Sequence, residues 1–347
     1  MELNGGKLLY KGKNVCVLTP EIPCKKTKKR SKNSHKRVSK IVFDKRKRKI
    51  DQEKKMNLTI KSIRNHQKWA IPFDNVCKSK KYSKIKDKYD DDISQCVKKE
   101  DINRFDTYGQ MYQGKLGGQT LLSYIHSKHY WSIEESQFKL LMKKMKPLFS
   151  GLVQMRKHNI IHNDIKYENV VLDDGVFKYI DFGLAGFSKE KSFFEKRSKQ
   201  EFDTFRFYQW YPIEYLYYYQ SKKDLKRELK ELKNFDFRKG FDDITKVHSI
   251  FDRDIEGFMK QLLQEIIDGQ KFNKTKLLNS LDVYSLGILI PLSFIKASEN
   301  NLLLQKNKCI QDFYKLFGEM TELDYHKRLS AEKSYQRFNN LLKKYKC

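Results

Sequence analysis

Two aspartates, one asparagine and one lysine are the residue types that phosphoryl transfer requires. Asp164, Lys166 and Asn169 belong to the stretch HNDIKYEN, and Asp181 opens the stretch DFG further along the chain. A carboxylate and an amide oxygen are hard ligands suited to Mg²⁺, and a second carboxylate can orient a hydroxyl and accept its proton. A lysine beside them can neutralise the phosphoryl group. The residue types therefore predict Asn169 and Asp181 as metal ligands, with Asp164 and Lys166 as catalytic groups.

A long helix and a β-hairpin are predicted to position these residues. Apolar residues recur at spacings of three and four from Phe138 to Met155, which predicts a core helix. After the polar loop, two runs of β-branched and aromatic residues flank the turn at 173–175, a strong hairpin signal. Because a hairpin brings the ends of its strands together, we expect Asn169 and Asp181 to meet.

The stretches HNDIKYEN and DFG resemble the catalytic loop and the magnesium loop of protein kinases. The resemblance implies transfer of the γ-phosphoryl group of ATP to a protein hydroxyl, with Mg²⁺ as cofactor. Lys166, two positions after Asp164, resembles the serine/threonine branch of the family. Asn163 stands where most kinases carry an arginine, and kinases without that arginine resemble the class that activation-loop phosphorylation does not switch on.

The resemblance covers nearly the whole chain and implies an α+β, bilobal protein-kinase fold. A small β-rich N-lobe is expected over residues 1–112, and a larger, mainly helical C-lobe over 113–347. Asp282, in the stretch DVYSLG, resembles the aspartate that braces the catalytic loop. Glu214, in the stretch PIE, resembles the residue that closes the activation segment, and it would pair with Arg328.

The resemblance also implies nucleotide-binding residues near the N-terminus. Lys40 resembles the lysine that holds the α- and β-phosphates, with Glu53 as its expected partner and Asp51 as the alternative. The phosphate-covering loop keeps only Gly12 and Val17 of the family's glycine-rich pattern. Fewer backbone N–H groups can then approach the phosphates closely, so we expect this loop to bind ATP more weakly than a full glycine-rich loop.

The stretch YQGKLGG resembles the hinge of a kinase. Tyr112 would gate the adenine pocket, and Gln113 and Lys115 would offer backbone groups to adenine.

The long segment between PIE and DVYSLG predicts a helical insertion over about 215–280. Apolar residues recur at helical spacing over 244–266, which predicts one amphipathic helix. The charged stretch 222–233 predicts a second helix that is exposed. We expect the insertion to contact a protein partner or substrate, while packing of its apolar stripe on the larger lobe is the plainer alternative.

The 347 residues carry a formal net charge of +29, with basic runs at 25–37 and 45–49. An excess of this size favours anionic partners, such as an acidic protein substrate. The basic runs could also contact nucleic acid non-specifically through its phosphates. Two alternatives to an active kinase therefore stay open: a pseudokinase or scaffold with a degenerate glycine loop, and a basic nucleic-acid-binding protein.

Six scattered cysteines without a CxxC pair predict reduced thiols inside the cell, and neither a disulfide framework nor a zinc site. The N-terminus has no apolar run of secretory type. The longest apolar stretch, 284–295, is too short to cross a bilayer.

The stretch PEIPC and the long gap before DVYSLG resemble the serine/threonine kinases of large DNA viruses. This resemblance would place the protein in host cytoplasm or in the virion.

Overall fold

The computed structural model describes most of the chain, in the ranges 7–12, 15–25, 36–43, 47–86, 93–127, 134–204, 208–218, 220–231, 241–297 and 307–347. The chain packs into two compact units: Met1–Gly118 with Ile180–Gly183, and Gln119–Tyr179 with Leu184–Cys347. The division falls after Gly118, beyond the lobe boundary expected after residue 112, because residues 113–115 continue a strand of the first unit. Most of the basic runs at 25–37 and 45–49 lies outside the described residues.

The first unit is built on an antiparallel sheet with the strand order β1-β2-β3-β5-β4. The strands are β1 (Lys7–Gly12), β2 (Val15–Thr19), β3 (Arg37–Val42), β4 (Asn75–Lys78) and β5 (Gln110–Lys115). Strand β3 is buried after its first residue, as expected for a strand with neighbours on both sides. Lys40 on β3 lies opposite Val17 on β2 and Tyr112 on β5. The sheet therefore places Lys40 on its central strand.

The first unit contains the α-helices α1 (Lys47–Ser62) and α2 (Ile102–Tyr108), and residues 93–96 are also helical. Met56 and Ile60 on α1 are fully buried. Their spacing of four places them on one face of the helix. Short 3₁₀ turns lie at His66–Lys68, Tyr82–Lys84 and Lys99–Asp101. The helix α1 therefore presents a fixed face to the sheet that carries Lys40.

Two disulfides cross-link the first unit, so the prediction of reduced thiols is wrong for four of the six cysteines. Cys16 is bonded to Cys96, and Cys24 is bonded to Cys77. Their Cα atoms are 6.0 and 5.9 Å apart, within the range that a disulfide bridges. The partners are 80 and 53 residues apart in sequence, so no local spacing revealed them. Cys309 and Cys347 are free.

The second unit contains two small antiparallel sheets. Strand β6 (Ile160–Ile161) pairs with β9 (Gly186–Phe187), and β7 (Val170–Asp173) pairs with β8 (Val176–Tyr179). The β7–β8 pair is the hairpin predicted from the Asp-Gly turn, and Gly175 has a φ of 78°. A glycine adopts such a backbone conformation without strain. The hairpin fixes where the chain leaves the catalytic loop.

Helices make up most of the second unit. They are α3 (Leu121–Ser127), α4 (Glu135–Lys157), α5 (Lys191–Asp203), α6 (Ile213–Leu216), α7 (Lys222–Glu231), α8 (Phe241–Ser249), α9 (Ile255–Asp268), α10 (Lys274–Ala297), α11 (Lys308–Met320) and α12 (Ala331–Lys344). The predicted core helix is α4, which buries Phe138, Leu141, Met145, Leu148 and Leu152 on one face.

The predicted amphipathic helix over 244–266 is two helices, α8 and α9. The Asp254 side chain accepts a hydrogen bond from the Gly257 N–H at 2.9 Å, which caps α9. Asp252 adopts a φ of 52°, outside the helical region, so the chain turns there. The apolar stripe of both helices packs inside the second unit with Ile213, Leu216 and Leu225. The stripe is therefore covered by its own unit.

Helix α10 is long and apolar enough over Lys274–Phe294 to be a candidate membrane span, with a mean hydropathy of 1.4. However, 89% of that stretch is buried inside the structure. It also contains the buried polar side chains of Asp282 and Ser285. Within the described residues, α10 has the packing of a core helix.

Candidate active site

Lys40 lies at the centre of an ion-pair network in the first unit. Its Nζ donates hydrogen bonds to Glu53 Oε1 and to Asp181 Oδ1, both at 2.8 Å. Lys40 and Glu53 are buried, whereas the alternative partner Asp51 is exposed on α1. Burial alone would lower the pKa of Lys40, but the charges of Asp181 and Glu53 outweigh it and hold that pKa above its ordinary value. Lys40 is therefore a fixed, buried cation.

Asp181, the predicted metal-binding carboxylate, is held by its own backbone conformation and by its neighbours. It adopts a φ of 59°, a left-handed conformation that aspartate tolerates better than most residues. Its Oδ1 also accepts a hydrogen bond from the Gly183 N–H at 3.1 Å. A Cβ on Gly183 would lie 3.1 Å from that oxygen and 3.3 Å from Glu53 Oε2, so the close approach favours glycine. The Asp181 side chain is 38% exposed, so a Mg²⁺ ion can reach it.

The predicted adenine contacts fall on strand β5. Tyr112 is fully buried, and its hydroxyl donates a hydrogen bond to the Ile50 carbonyl at 2.8 Å. The Gln113 carbonyl accepts a hydrogen bond from the Asp74 N–H at 2.9 Å. The expected contact of Gln113 with adenine stays a prediction. Lys115 pairs with Arg37 at the end of the same ladder, and its contact with adenine stays a prediction.

The glycine loop keeps a regular hairpin form at both of its ends. Gly12 lies opposite Val15 across the β1–β2 pair, and Val17 lies opposite Lys40 on β3. Residues 13–14 are outside the described chain. The structure therefore gives the places of Gly12 and Val17 in the sheet, and their contacts with the nucleotide stay predictions.

The catalytic loop of the second unit surrounds a buried carboxylate. Asp164 Oδ2 accepts a hydrogen bond from Asn169 Nδ2 at 2.7 Å and lies 3.1 Å from Lys166 Nζ. Asn169 Nδ2 also donates to the Asp164 carbonyl at 2.9 Å. Since the amide nitrogen of Asn169 is used inside the loop, its amide oxygen is the group suited to bind a metal ion. Asn169 ends a 3₁₀ turn immediately before β7, so the hairpin fixes its position.

A buried aspartate on helix α10 braces the catalytic loop, as the sequence predicted. Asp282 Oδ2 accepts the His162 N–H at 2.6 Å, and Oδ1 accepts the Asn163 N–H at 3.0 Å. Burial raises the pKa of Asp282, and the two backbone N–H groups oppose that rise. The predicted pair between Glu214 and Arg328 is also confirmed, and both side chains are almost fully buried.

Two tyrosines that the sequence did not single out also contact the catalytic loop. The Tyr208 hydroxyl donates to Asp164 Oδ1 at 2.8 Å, and the Tyr211 hydroxyl donates to the Asn163 carbonyl at 2.6 Å. No motif in the sequence separates these tyrosines from the other tyrosines of the chain. Their spacing of three just before Pro212 is the one local signal available.

Comparison with known proteins identifies the family. Residues 29–211 match the family model described as the protein kinase domain. The match spans more than half of the chain, and the chain therefore belongs to the protein kinase family.

Two similar proteins are calcium-dependent protein kinases from Plasmodium species. Calcium-dependent protein kinase 4 of Plasmodium falciparum (isolate 3D7) is 31% identical over 91 residues. The protein of that name from Plasmodium berghei (strain Anka) is 30% identical over 91 residues. Each alignment covers 25% of this chain and 16% of the relative, so the chain matches only a small part of those longer proteins.

Proposed function

We propose that this protein kinase transfers the γ-phosphoryl group of ATP to serine or threonine hydroxyls of protein substrates. The observation that carries the proposal is the buried Lys40 cation, held between Glu53 and Asp181 on a sheet strand. Burying an ammonium group between two carboxylates costs desolvation free energy. Binding the phosphates of ATP is a role that this family requires of such a lysine.

The residues divide the work of the reaction as follows. Lys40 contacts the α- and β-phosphates of ATP. Asn169 would offer its amide oxygen and Asp181 its carboxylate to Mg²⁺, which would neutralise the phosphate charge. Asp164 orients the substrate hydroxyl and accepts its proton. Lys166 stabilises the transferring phosphoryl group.

The choice of serine and threonine is supported by Lys166, two positions after Asp164, as in the serine/threonine branch that the loop resembles. The net charge of +29 favours acidic protein substrates. The resemblance to kinases of large DNA viruses, and with it a place inside a host cell or a virion, belongs to the same proposal and rests on the stretch PEIPC and the long insertion.

A pseudokinase is the second candidate, because the glycine loop keeps only Gly12 and Val17 of the family pattern. The charged set around Lys40 and the hydrogen bonds around Asp164 favour the active enzyme.

Phosphoamino-acid analysis tests the proposal. The protein is incubated with radiolabelled ATP, Mg²⁺ and a mixed protein substrate, and the product is hydrolysed. Phosphoserine and phosphothreonine are expected, whereas phosphotyrosine as the main product contradicts the choice of acceptor.

A further inference from the structure

Two tyrosines on one turn hold the catalytic loop, and we name the pair Tyr208 and Tyr211 the tyrosine clamp. The Tyr211 N–H donates to the Tyr208 carbonyl at 2.8 Å, so one backbone turn carries both side chains. Their rings meet edge to face, with centroids 4.9 Å apart. The hydroxyls reach two consecutive residues, Asp164 at 2.8 Å and Asn163 at 2.6 Å. The clamp therefore holds a backbone group and the catalytic carboxylate together.

The clamp and the buried aspartate hold different polar groups of the same loop. Asp282 accepts the backbone N–H groups of His162 and Asn163. The clamp takes the Asn163 carbonyl and Asp164 Oδ1. Asp164 Oδ2 is left to Asn169 and Lys166. With different partners on its two oxygens, the Asp164 carboxylate has one defined rotation, and Oδ2 is the oxygen on the side of the lysine that would meet the phosphoryl group.

The clamp hydroxyls are permanent donors. Burial and the charge of Asp164 raise the pKa of Tyr208 well above its ordinary value, and burial raises the pKa of Tyr211. Both phenols therefore stay protonated throughout the physiological pH range. Tyr211 also packs edge to face on Tyr215, with ring centroids 4.9 Å apart, inside a buried cluster that includes Phe194. The donors are held in place by packing as well as by their hydrogen bonds.

Asn163 explains why such a clamp is useful in this chain. Kinases can order their activation segment through new contacts between arginine and a phosphorylated side chain. Asn163 occupies the position of the family's loop arginine, and its short side chain donates to the Leu184 carbonyl at 3.4 Å. It adopts a φ of 58°, a conformation that asparagine tolerates. The tyrosine clamp supplies, without phosphate, a link between the segment before Pro212 and the loop.

We propose that Tyr208 is a positioning residue for Asp164, and that the tyrosine clamp orders the catalytic loop in place of a phosphorylated activation segment. The proposal rests on the proposed kinase activity. It predicts that the phenol hydroxyls are needed for turnover and that phosphate on the protein is not.

The test compares Tyr208→Phe and Tyr211→Phe with wild type and with Tyr345→Phe. Tyr345 is a matched control, because its hydroxyl also contacts an aspartate, Asp312 Oδ2 at 2.5 Å, on the C-terminal helices. The readouts are kcat and KM for ATP and a short peptide, the unfolding midpoint, and amide hydrogen exchange of the peptide covering residues 160–169. Wild type is also assayed after treatment with phosphatase.

We expect Tyr208→Phe to lower kcat by about 10- to 100-fold, as for a lost hydrogen bond to a charged group in the transition state. Both KM values should change by no more than about two-fold, since substrate binding is not affected. Exchange over 160–169 should accelerate in both clamp variants and not in Tyr345→Phe. Phosphatase-treated wild type should keep its activity.

Three results overturn the proposal. They are a kcat for Tyr208→Phe within about two-fold of wild type, unchanged exchange over 160–169 in both clamp variants, and loss of wild-type activity on phosphatase treatment. If wild type itself transfers no phosphate, the proposed function fails. The exchange comparison then still decides whether the clamp orders the loop.

Discussion

At the scale of single residues, the chemistry centres on Asp164 and the partners that hold it. Oδ1 accepts Tyr208, and Oδ2 accepts Asn169 and lies beside Lys166. In the first unit, Lys40 is held in the same way by two carboxylates. Each reactive group is therefore oriented before substrate arrives, which is how positioned groups contribute most to rate.

Replacing Asp164 with asparagine should remove the proton acceptor while preserving the size of the side chain. We expect Asp164→Asn to lower kcat by about 10²- to 10⁴-fold. The rise in unfolding midpoint caused by Mg²⁺ and ATP should remain, since the nucleotide contacts are assigned to other residues. Asp203→Asn, at an exposed position of α5, is the matched control. A turnover of Asp164→Asn close to that of wild type would contradict the assignment of the catalytic loop.

At the scale of elements, the catalytic loop depends on α10, and α8 packs on α10 through a buried histidine. His248 Nε2 lies 3.0 Å from the Tyr284 hydroxyl. Burial, with Arg253 and Arg328 nearby, lowers the pKa of His248 to about 3. The contact between these helices is therefore built around a neutral imidazole.

Acid should weaken this helix contact. The pKa of His248 in the folded protein lies below the unfolded value of about 6.5, so the stabilisation is complete above pH 6.5 and is lost as the pH falls towards 3. The free energy of unfolding should fall by about 1.4 kcal/mol per pH unit in that range from this group. Urea titrations of wild type and His248→Gln measure it. Equal slopes for both proteins below pH 6 would show that His248 is not responsible.

Helix α7 carries a basic face that suits an acidic partner. Lys222, Lys223, Lys226, Arg227 and Lys230 line an open depression of about 460 Å³. Leu225 on the opposite face is buried with the apolar cluster of the insertion. Within the described chain, Arg227 has an ion pair with Asp224 at 3.4 Å. The helix therefore presents a basic surface to solvent.

Neutralising this basic surface should weaken docking of an acidic substrate and leave phosphoryl transfer unchanged. Changing the four lysines of α7 to glutamine should raise KM for a long, glutamate-rich peptide by about 10-fold at low salt. Phosphorylation of a short neutral peptide should not change. The control removes four exposed lysines elsewhere, at positions 315, 333, 343 and 346. If KM for the acidic peptide rises equally in the control, net charge is the cause and the docking role of α7 is wrong.

The sequence predicted some elements and contacts better than others. The brace from Asp282 was predictable because a short motif marks it. The break between α8 and α9 was not, because the apolar period continues across it while the Asp254 cap overrides that period locally. The contact of Tyr208 with Asp164 depends on tertiary structure that joins residues 44 positions apart. Nothing in the residue types of the segment between Phe187 and Tyr208 identifies that contact.

At the scale of the whole molecule, the two compact units are stabilised differently. In the described part of the chain, the first unit has a small sheet, short helices and two disulfides, whereas the second is built on buried helices such as α4 and α10. The disulfides were not predictable from sequence, because their partners come together only when the sheet and the following segments fold. The first unit is therefore expected to respond to reductant and the second is not.

Reducing the disulfides should destabilise the first unit. Each link closes a long loop of the unfolded chain, and links of this kind contribute about 2–4 kcal/mol. Cys16→Ser should lower the unfolding midpoint under oxidising conditions, and excess dithiothreitol should lower that of wild type. Cys347→Ser is the control, because Cys347 is free. An unchanged wild-type midpoint in reductant would show that the disulfides contribute nothing.

The most direct test of the central claim is transfer of radiolabelled phosphate from ATP to acidic and basic generic protein substrates in the presence of Mg²⁺. Asp181→Ala removes the carboxylate assigned to the metal, which also contacts Lys40. Wild type should label the substrate, with preference for the acidic one, and Asp181→Ala should reduce labelling to background while staying folded. Equal labelling by the two proteins, or none by wild type, would contradict the account of this chain as an active kinase.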